Sequence, residues 1–368
     1  MNWKTLKDIS KKQLEKRGFS GTVMESASPA AKEFADKVSN DVIGPGKLLM
    51  LCMESGVVAD YPAICANTLQ KQLSDEFFAY DPPWASIAKA EPVSKLNEGF
   101  SRVVTGEFDT LPLKKEREEV AEQKFSDGAY TVTSKTYGMK FVLSREAQIN
   151  DDLGAFTRIK DKMFRVGTRS VEARIAELLH TPGNAFDGNA FYGSAHVNAG
   201  TVALSADETG ANALAAACKA IRMQKDYDSK QILGLSPRYL VVPIQLEDIA
   251  GVLTSSVTVP NASGHSVTNR AQPYALKPVA MAGLGNYDTN NWFVFADPAD
   301  CESIVVAFLN GFMVPQIFVA NTRLALQGDP KYFENACFDT SFEMLYDFGV
   351  NKAKWQGSYK STVAGGTD

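Results

Sequence analysis

Between Gly99 and Ser144 the chain does something that a compact domain resists. Two stretches with strand character, GFSRVVTGEF and AYTVTSKTYGMKFVLS, flank the run KKEREEVAEQK from Lys114 to Lys124, which has almost no apolar content. In the second stretch Tyr137, Met139, Phe141 and Leu143 alternate with Gly138, Lys140 and Val142, the period of two of a strand. A polar excursion of this length is uncommon inside a compact domain unless it has a task of its own. A long two-stranded hairpin cannot bury itself, and its edges invite pairing with another chain. The segment 99–144 therefore predicts a hairpin completed by a partner.

The next segment predicts a long helix. In NDDLGAFTRIKDKMFRVGTRSVEARIAELLHTPG, apolar residues from Leu153 to Leu178 recur mostly at steps of three or four. Asn150, Asp151 and Asp152 offer a start and Pro182-Gly183 a stop. A helix over 151–181 is a rod of about 42 Å. Leu69, Leu73, Phe77 and Phe78 mark a further helix that ends at Asp81-Pro82-Pro83. Helices are expected around 207–225 and 245–256, and strands at 239–243, 277–281, 292–296 and 303–309. The dense aromatic alternation of KYFENACFDTSFEMLYDFGVNKAKWQG predicts long strands. Residues 257–272, rich in Ser, Asn, Gly and Pro, read as a loop. Residues 1–20 carry six Lys and Arg against two Asp and Glu with only a thin apolar stripe of Leu6, Ile9 and Leu14, and predict a solvated helix or mobile arm.

Composition narrows the function. Hydrophobic residues make up 45% and charged residues 22%, enough to bury a sizeable core. The net charge of −5 argues against a general nucleic-acid binder. Five scattered cysteines, at 52, 65, 218, 301 and 337, form neither a disulfide framework nor a zinc module. No apolar run approaches the roughly 18 residues of a membrane span, and the basic start lacks the apolar core of a secretory signal.

The chemistry-bearing candidates are few. NAFYGSAHVNAG places His196 between Ser194 and Asn198, with Asp187 upstream. A hydrolytic triad of Ser194, His196 and Asp187 would put Ser194 and His196 on one side of an extended segment. Yet no nucleophile elbow surrounds Ser194, and triad members normally come from separated segments. His180, His196 and His265 lie too far apart in sequence for a metal site. GLGN at 283–286 reads as a plain turn, because it lacks the lysine or third glycine of a phosphate loop. The acidic pairs Glu118-Glu119 and Asp151-Asp152 read as solvated or helix-start carboxylates. No catalytic, cofactor or metal residue is assigned. His196 and Asn198 are expected to tie down a loop that leaves the long helix.

Four segments, in order, resemble the major capsid proteins of tailed bacteriophages, which share the Hong Kong 97-type fold. GLSPRYLVVPIQLEDIAGVL (234–253) is similar to the family's Gly-Leu-x-Pro, Val-Val-Pro strand and Leu-Glu-x-x-Ala helix. Phe191, Ser194, His196 and Asn198 resemble its loop after the long helix. WFVFADP (292–298) and FLNGFMVPQIF (308–318) resemble two of its strands. The resemblance spans roughly 45–355, and the Mu-like major head subunit is the nearest subfamily in pattern. It implies an α+β fold: residues 1–98 as N-terminal arm and start of the peripheral domain, 99–144 as extended hairpin loop, and 145–204 as peripheral domain with the spine helix. Residues 205–320 would be the axial domain, and 321–368 the return to the peripheral domain and tail.

It further implies a non-enzymatic shell protein that assembles with itself, as pentamers and hexamers, around phage double-stranded DNA held by non-specific contact. Assembly would take place in the host bacterial cytoplasm, without a membrane. Portal and decoration proteins would be its partners, and since the family-like core begins near residue 45, a separate scaffold protein, or none, is implied. The polar run supplies the expected contacts between subunits: Lys114, Lys115, Arg117, Glu118, Glu119 and Lys124. Some relatives cross-link through a lysine and an asparagine. Here Lys114, Lys115 and Lys124 lie in the right loop, but no asparagine or catalytic glutamate aligns with them, so no cross-link is expected. The alternatives are an encapsulin-like nanocompartment and, remotely, the Ser194–His196 hydrolase.

Overall fold

The computed structural model describes residues 3–17, 61–105, 113, 127–143, 155–227, 231–287, 289–320 and 340–363. The run 114–124, with Lys114, Lys115, Arg117, Glu118, Glu119 and Lys124, lies outside them, as do the helix-start candidates 150–152. In chain order the elements are α1 (Trp3–Arg17), α2 (Tyr61–Ala79), β1 (Ala88–Val93), β2 (Phe100–Thr105), β3 (Asp127–Val132), β4 (Lys135–Leu143) and α3 (Ala155–His180). Then come β5 (Ala199–Gly200), α4 (Glu208–Arg222), β6 (Pro237–Pro243), α5 (Glu247–Ser255), β7 (Thr258–Pro260), β8 (Ser266–Thr268), β9 (Lys277–Met281) and β10 (Trp292–Ala296). The last are β11 (Ile304–Leu309), β12 (Gln316–Ala320), β13 (Thr340–Lys352) and β14 (Ser358–Ser361).

Two five-stranded sheets organise these elements. The first is built on β13. One of its edges pairs antiparallel with β4, and the other with β12 and then with β11. β1 runs parallel to β11. The second sheet has the order β5-β14-β10-β6-β9. β13 thus joins the first sheet and β14 the second. Two short hairpins, β2–β3 and β7–β8, form separate two-stranded sheets.

Burial explains why the strands could be read so closely. All five residues of β10 are buried, yet their side chains go to different cores. Phe293 and Phe295 face α3 and the first sheet, while Trp292, Val294 and Ala296 face α4 and α5. A strand covered on both faces reads as a continuous apolar run. The same division splits β11: Ile304, Val306 and Phe308 point toward α3, and Val305 and Ala307 pack under Val104, Tyr130 and Val132 of the β2–β3 hairpin. α3 lies where the two sheets meet, with Val171, Ile175, Ala176 and Leu179 buried in the core shared by Val241, Phe293, Phe308 and Phe348.

Three readings of the sequence are corrected. The N-terminal segment is not a solvated arm over its described part: Trp3, Leu6 and Ser10 are buried, Trp3 meets Trp84 edge-on at 4.8 Å, and Ser10 Oγ accepts from the Met313 amide at 3.3 Å. Lys7 adds an ion pair of 2.9 Å to Asp81. The buried line is Trp3-Leu6-Ser10, and its polar third member hides it from a count of apolar residues. Residues 257–272 are not all loop, since Val259 and Val267 pair in the β7–β8 hairpin. GLGN is not a plain turn but part of a 3-10 helix, Ala282–Asn286, where the Gly283 amide donates to Glu172 Oε1 of α3 at 2.8 Å.

Because Leu6 is fully buried, Leu6→Ala is expected to lower the stability of the purified chain by about 2–5 kcal/mol. Urea unfolding measures this. A loss below about 0.5 kcal/mol, the range for surface changes, would mean that α1 is not docked.

Candidate functional site

Three groupings of side chains carry the chemistry of this molecule. The first holds the root of the β2–β3 hairpin. Glu91 of β1, only 8% exposed, accepts from Arg102 of β2 at 3.0 Å and faces Lys89 at 3.8 Å. Lys89 also pairs with Glu302. Glu302 in turn accepts from the Tyr130 hydroxyl of β3 at 3.2 Å. Burial, aided by the Glu302 and Glu91 carboxylates, pushes the Tyr130 phenol well above its ordinary pKa, so it stays a donor. Each carboxylate that burial would penalise is matched by a cation or hydroxyl.

A second anchor holds the other end of the root. The Asn351 side chain bonds both the amide and the carbonyl of Thr133, each at 3.0 Å, as a neighbouring strand would. Gly349 permits this approach, since a Cβ there would lie 1.8 Å from the Thr133 carbonyl oxygen. Beyond the root the hairpin exposes apolar side chains: Phe100 is 48% and Val103 65% exposed. Arg102 covers one face of the Phe100 ring at 4.8 Å.

The second grouping is the loop after α3. His196 is buried and stacks on Trp355 at 4.2 Å. Its Nε2 meets Asp187 Oδ2 at 2.9 Å and its Nδ1 meets the Phe191 carbonyl at 3.2 Å. Asn198, fully buried, donates to the Phe191 carbonyl at 3.0 Å and accepts from the Gly193 amide at 3.0 Å. Gln224 of the segment after α4 donates to the His196 carbonyl at 2.7 Å. Burial works to raise the Asp187 pKa, but hydrogen bonds from His196 and from the Asn189 side chain and amide outweigh it and hold the carboxyl below the usual range.

The hydrolytic reading fails on this geometry. Residues 194–197 form a turn, not an extended segment, so Ser194 is exposed while His196 is buried. Both ring nitrogens of His196 are engaged away from Ser194. Val197, a β-branched residue, sits in the left-handed region at φ 52° to let the turn close. A cleft of about 840 Å³ opens beside it, lined by Asp187, His196, Lys219, Met223, Tyr227 and Trp355 among others, and it contains no nucleophile paired with a base. Among the described residues no three His, Cys, Asp or Glu side chains converge as a metal site, and no helix is long and apolar enough to cross a membrane.

The third grouping was invisible in the sequence. The last carbonyls of α3 have no partners within the helix. Lys360 of β14, 7% exposed, reaches the carbonyls of Leu179 at 3.1 Å and His180 at 2.9 Å. Lys352 of β13 reaches the carbonyls of Pro182, at 2.7 Å, and Asn184. Cations at a helix C-terminus also meet the negative end of its dipole. Nothing local in the sequence marks these lysines, because their partners lie more than 160 residues away.

Compared with known proteins, residues 129–361 match a family model described as phage capsid protein. That match does not single out the Mu-like head subunit. Among solved structures, one from Gordonia phage Cozz is 10% identical with a TM-score of 0.49, over 76% of this chain and 85% of that one. The holo-SrpI encapsulin complex from Synechococcus elongatus PCC 7942 is 9% identical with a TM-score of 0.44, over 78% and 90%. A virus-like particle from Pyrococcus furiosus is 15% identical with a TM-score of 0.40, over 80% and 97%. No curated protein matches by sequence.

Two outcomes are expected of these groupings. His196→Ala removes one hydrogen bond each from Asp187 and the Phe191 carbonyl, together with the stack on Trp355, and should cost about 1–3 kcal/mol. The depressed Asp187 pKa stabilises the chain above the ordinary aspartate pKa of about 3.9, and the contribution is lost as pH falls through the lower folded value. Unfolding curves of Asp187→Asn across the acid range should therefore lack that part of the decline. At the hairpin root, Arg102→Ala should speed amide hydrogen exchange in β2 and β3 while β11 keeps its protection. Arg102 is partly exposed, so the cost is about 1 kcal/mol. Unchanged exchange would show that the ion pairs do not hold the root.

Proposed function

We propose, from the premise that this chain belongs to the phage capsid protein family, that it is the repeating unit of an icosahedral phage head whose pentamers and hexamers close around packaged double-stranded DNA. The family is structural, not enzymatic, its members self-assemble into the shell of the virion, and its fold is the Hong Kong 97-like α+β fold. One observation carries the finer reading. The β2–β3 hairpin is rigidly rooted, yet its strands pair only with each other among the described residues and leave Phe100 and Val103 uncovered. A fixed element with an unburied surface suits a second copy, and closed symmetry repeats that contact around each ring.

In this reading the extended loop laid across a neighbour runs from β2 to β3, and β4, which the range 99–144 places in the same loop, stays in the subunit's own first sheet against β13. Residues 145–204, with α3 as spine, form the peripheral body that begins in 1–98 and is completed by 321–368. Of residues 205–320, those up to β10 form the axial part around the five- and six-fold axes, while β11 and β12 lie in the sheet of β1 and β13. His196 and Asn198 hold the loop by which the chain leaves the spine for that part. Lys114, Lys115, Arg117, Glu118, Glu119 and Lys124 make alternating ion pairs with the neighbour. Scaffold, portal and decoration proteins are its further partners, and assembly takes place in the host bacterial cytoplasm.

Negative-stain microscopy of the purified protein at high concentration is expected to reveal rings or shells with five- and six-fold capsomers. Monomers alone, with scaffold supplied, would overturn the reading. Shells that enclose a protein cargo and exclude DNA would favour a nanocompartment instead. Each exposed ion pair contributes only about 0.2–1 kcal/mol, but the shell repeats it in every copy. Reversing Lys114, Lys115 and Arg117 to Glu should therefore abolish shells while circular dichroism stays that of a folded subunit. Wild-type assembly should also weaken as salt shortens the Debye length from about 10 Å at 0.1 M to about 3 Å at 1 M. Normal shells from the triple reversal would remove this loop from the interface.

A further inference from the structure

The long helix α3 has two unlike faces. Met163, Gly167, Val171 and Ile175 are buried against the core. On the opposite side Lys162, Arg165 and Arg169 are exposed. Their spacing of three and then four residues puts them on one line along the helix, spanning about 10 Å. Among the described residues none of the three forms an ion pair. The nearby carboxylates of the same helix are committed elsewhere: Glu172 accepts from the Gly283 amide at 2.8 Å, and Glu177 pairs with Arg174 at 2.5 Å. Asp161, exposed next to Lys162, has a partner of its own. The chain as a whole carries a net charge of −5, so a row of three exposed cations with no ion pair among the described residues is a local exception.

We infer that this stripe of α3 faces the interior of the shell and contacts the phosphates of packaged duplex DNA. The inference rests on the capsid reading and adds to it the surface that meets the DNA and the direction in which the subunit faces. Guanidinium groups match phosphate oxygens with two parallel hydrogen bonds, and a lysine adds a point charge. The only large apolar side chain exposed between them is Val166, 40% exposed, a poor anchor for a protein partner, whose contacts centre on buried aromatic and arginine residues. Three phosphate contacts on an otherwise acidic subunit give weak, sequence-independent attraction. The chain's net charge of −5 opposes adhesion of DNA to the subunit as a whole.

The test compares the wild-type chain with Lys162→Gln, Arg165→Gln, Arg169→Gln combined. A control combines Lys219→Gln, Arg270→Gln and Lys277→Gln, exposed cations of the second sheet and its surroundings, which changes the net charge equally. Binding of a short fluorescent DNA duplex is followed by anisotropy over a range of salt. Each lost phosphate contact lowers the slope of log affinity against log salt by about 0.9, so the stripe variant should lose about 2–3 of slope and the control almost none. An unchanged slope in the stripe variant, or an equal loss in the control, overturns the assignment. Microscopy of the same proteins separates the two levels. Shells from the stripe variant are expected, and their loss with the subunit still folded would make the stripe a contact between copies, overturning the DNA assignment. A wild-type chain that forms no shells fails the capsid reading, whatever the DNA result.

Discussion

The free carbonyls at the end of α3 are the constraint on which the rest of this molecule turns. A helix that ends inside a protein must find donors for its last carbonyls or lose their hydration without return. Here the donor is the ammonium group of Lys360, while Lys352 takes the carbonyls of Pro182 and Asn184 just beyond the helix, the two lysines being brought by the two final strands. Those strands belong to different sheets, β13 to the first and β14 to the second. Closing the helix end therefore also fixes how the sheets stand to one another. The same strand β13 carries Gly349 and Asn351, which clamp the turn between β3 and β4. One region thus holds the helix end, the sheet junction and the hairpin root.

That arrangement separates a deeply buried body from a hairpin that is anchored at its root and exposed beyond it. The body buries apolar strands on both faces and meets each buried charge with a partner. Glu91 illustrates the cost of doing so near the surface: its carboxylate is hidden, and Arg102 and Lys89 hold it in place. Removing one partner of such a group is far more damaging than replacing the whole set by apolar residues. The charges at the root thus specify one angle for the hairpin, and the body below supplies the stability.

The fold was legible where periodicity and double-sided burial coincide. β10 falls at the residues read from the sequence, 292–296, because a strand between two layers is apolar throughout, and the edge strand β9 falls at 277–281 although its first two residues are exposed. The long helix was legible from its three-and-four spacing. The docking of α1 was hidden because its buried line includes Ser10, whose value lies in one hydrogen bond to the Met313 amide. The β7–β8 hairpin was hidden because it rests on little more than Val259 and Val267 amid polar residues. Lys352, Lys360 and the Glu91 network were beyond reach, since each joins residues whose proximity only the finished topology creates.

The pairing of β1 with β11, and of β4 with β13, also sets a timetable. Ala88 pairs with Ile304, and Leu143 with Thr340. Contacts so distant along the chain form late, because the entropy of closing the intervening loop must be met before any pairing repays it. During synthesis the first sheet therefore stays open until residues 340–352 have emerged. Only then can Asn351 grip Thr133 and give the hairpin a fixed direction. Until then the β2–β3 hairpin lacks the anchor that β13 supplies at Thr133.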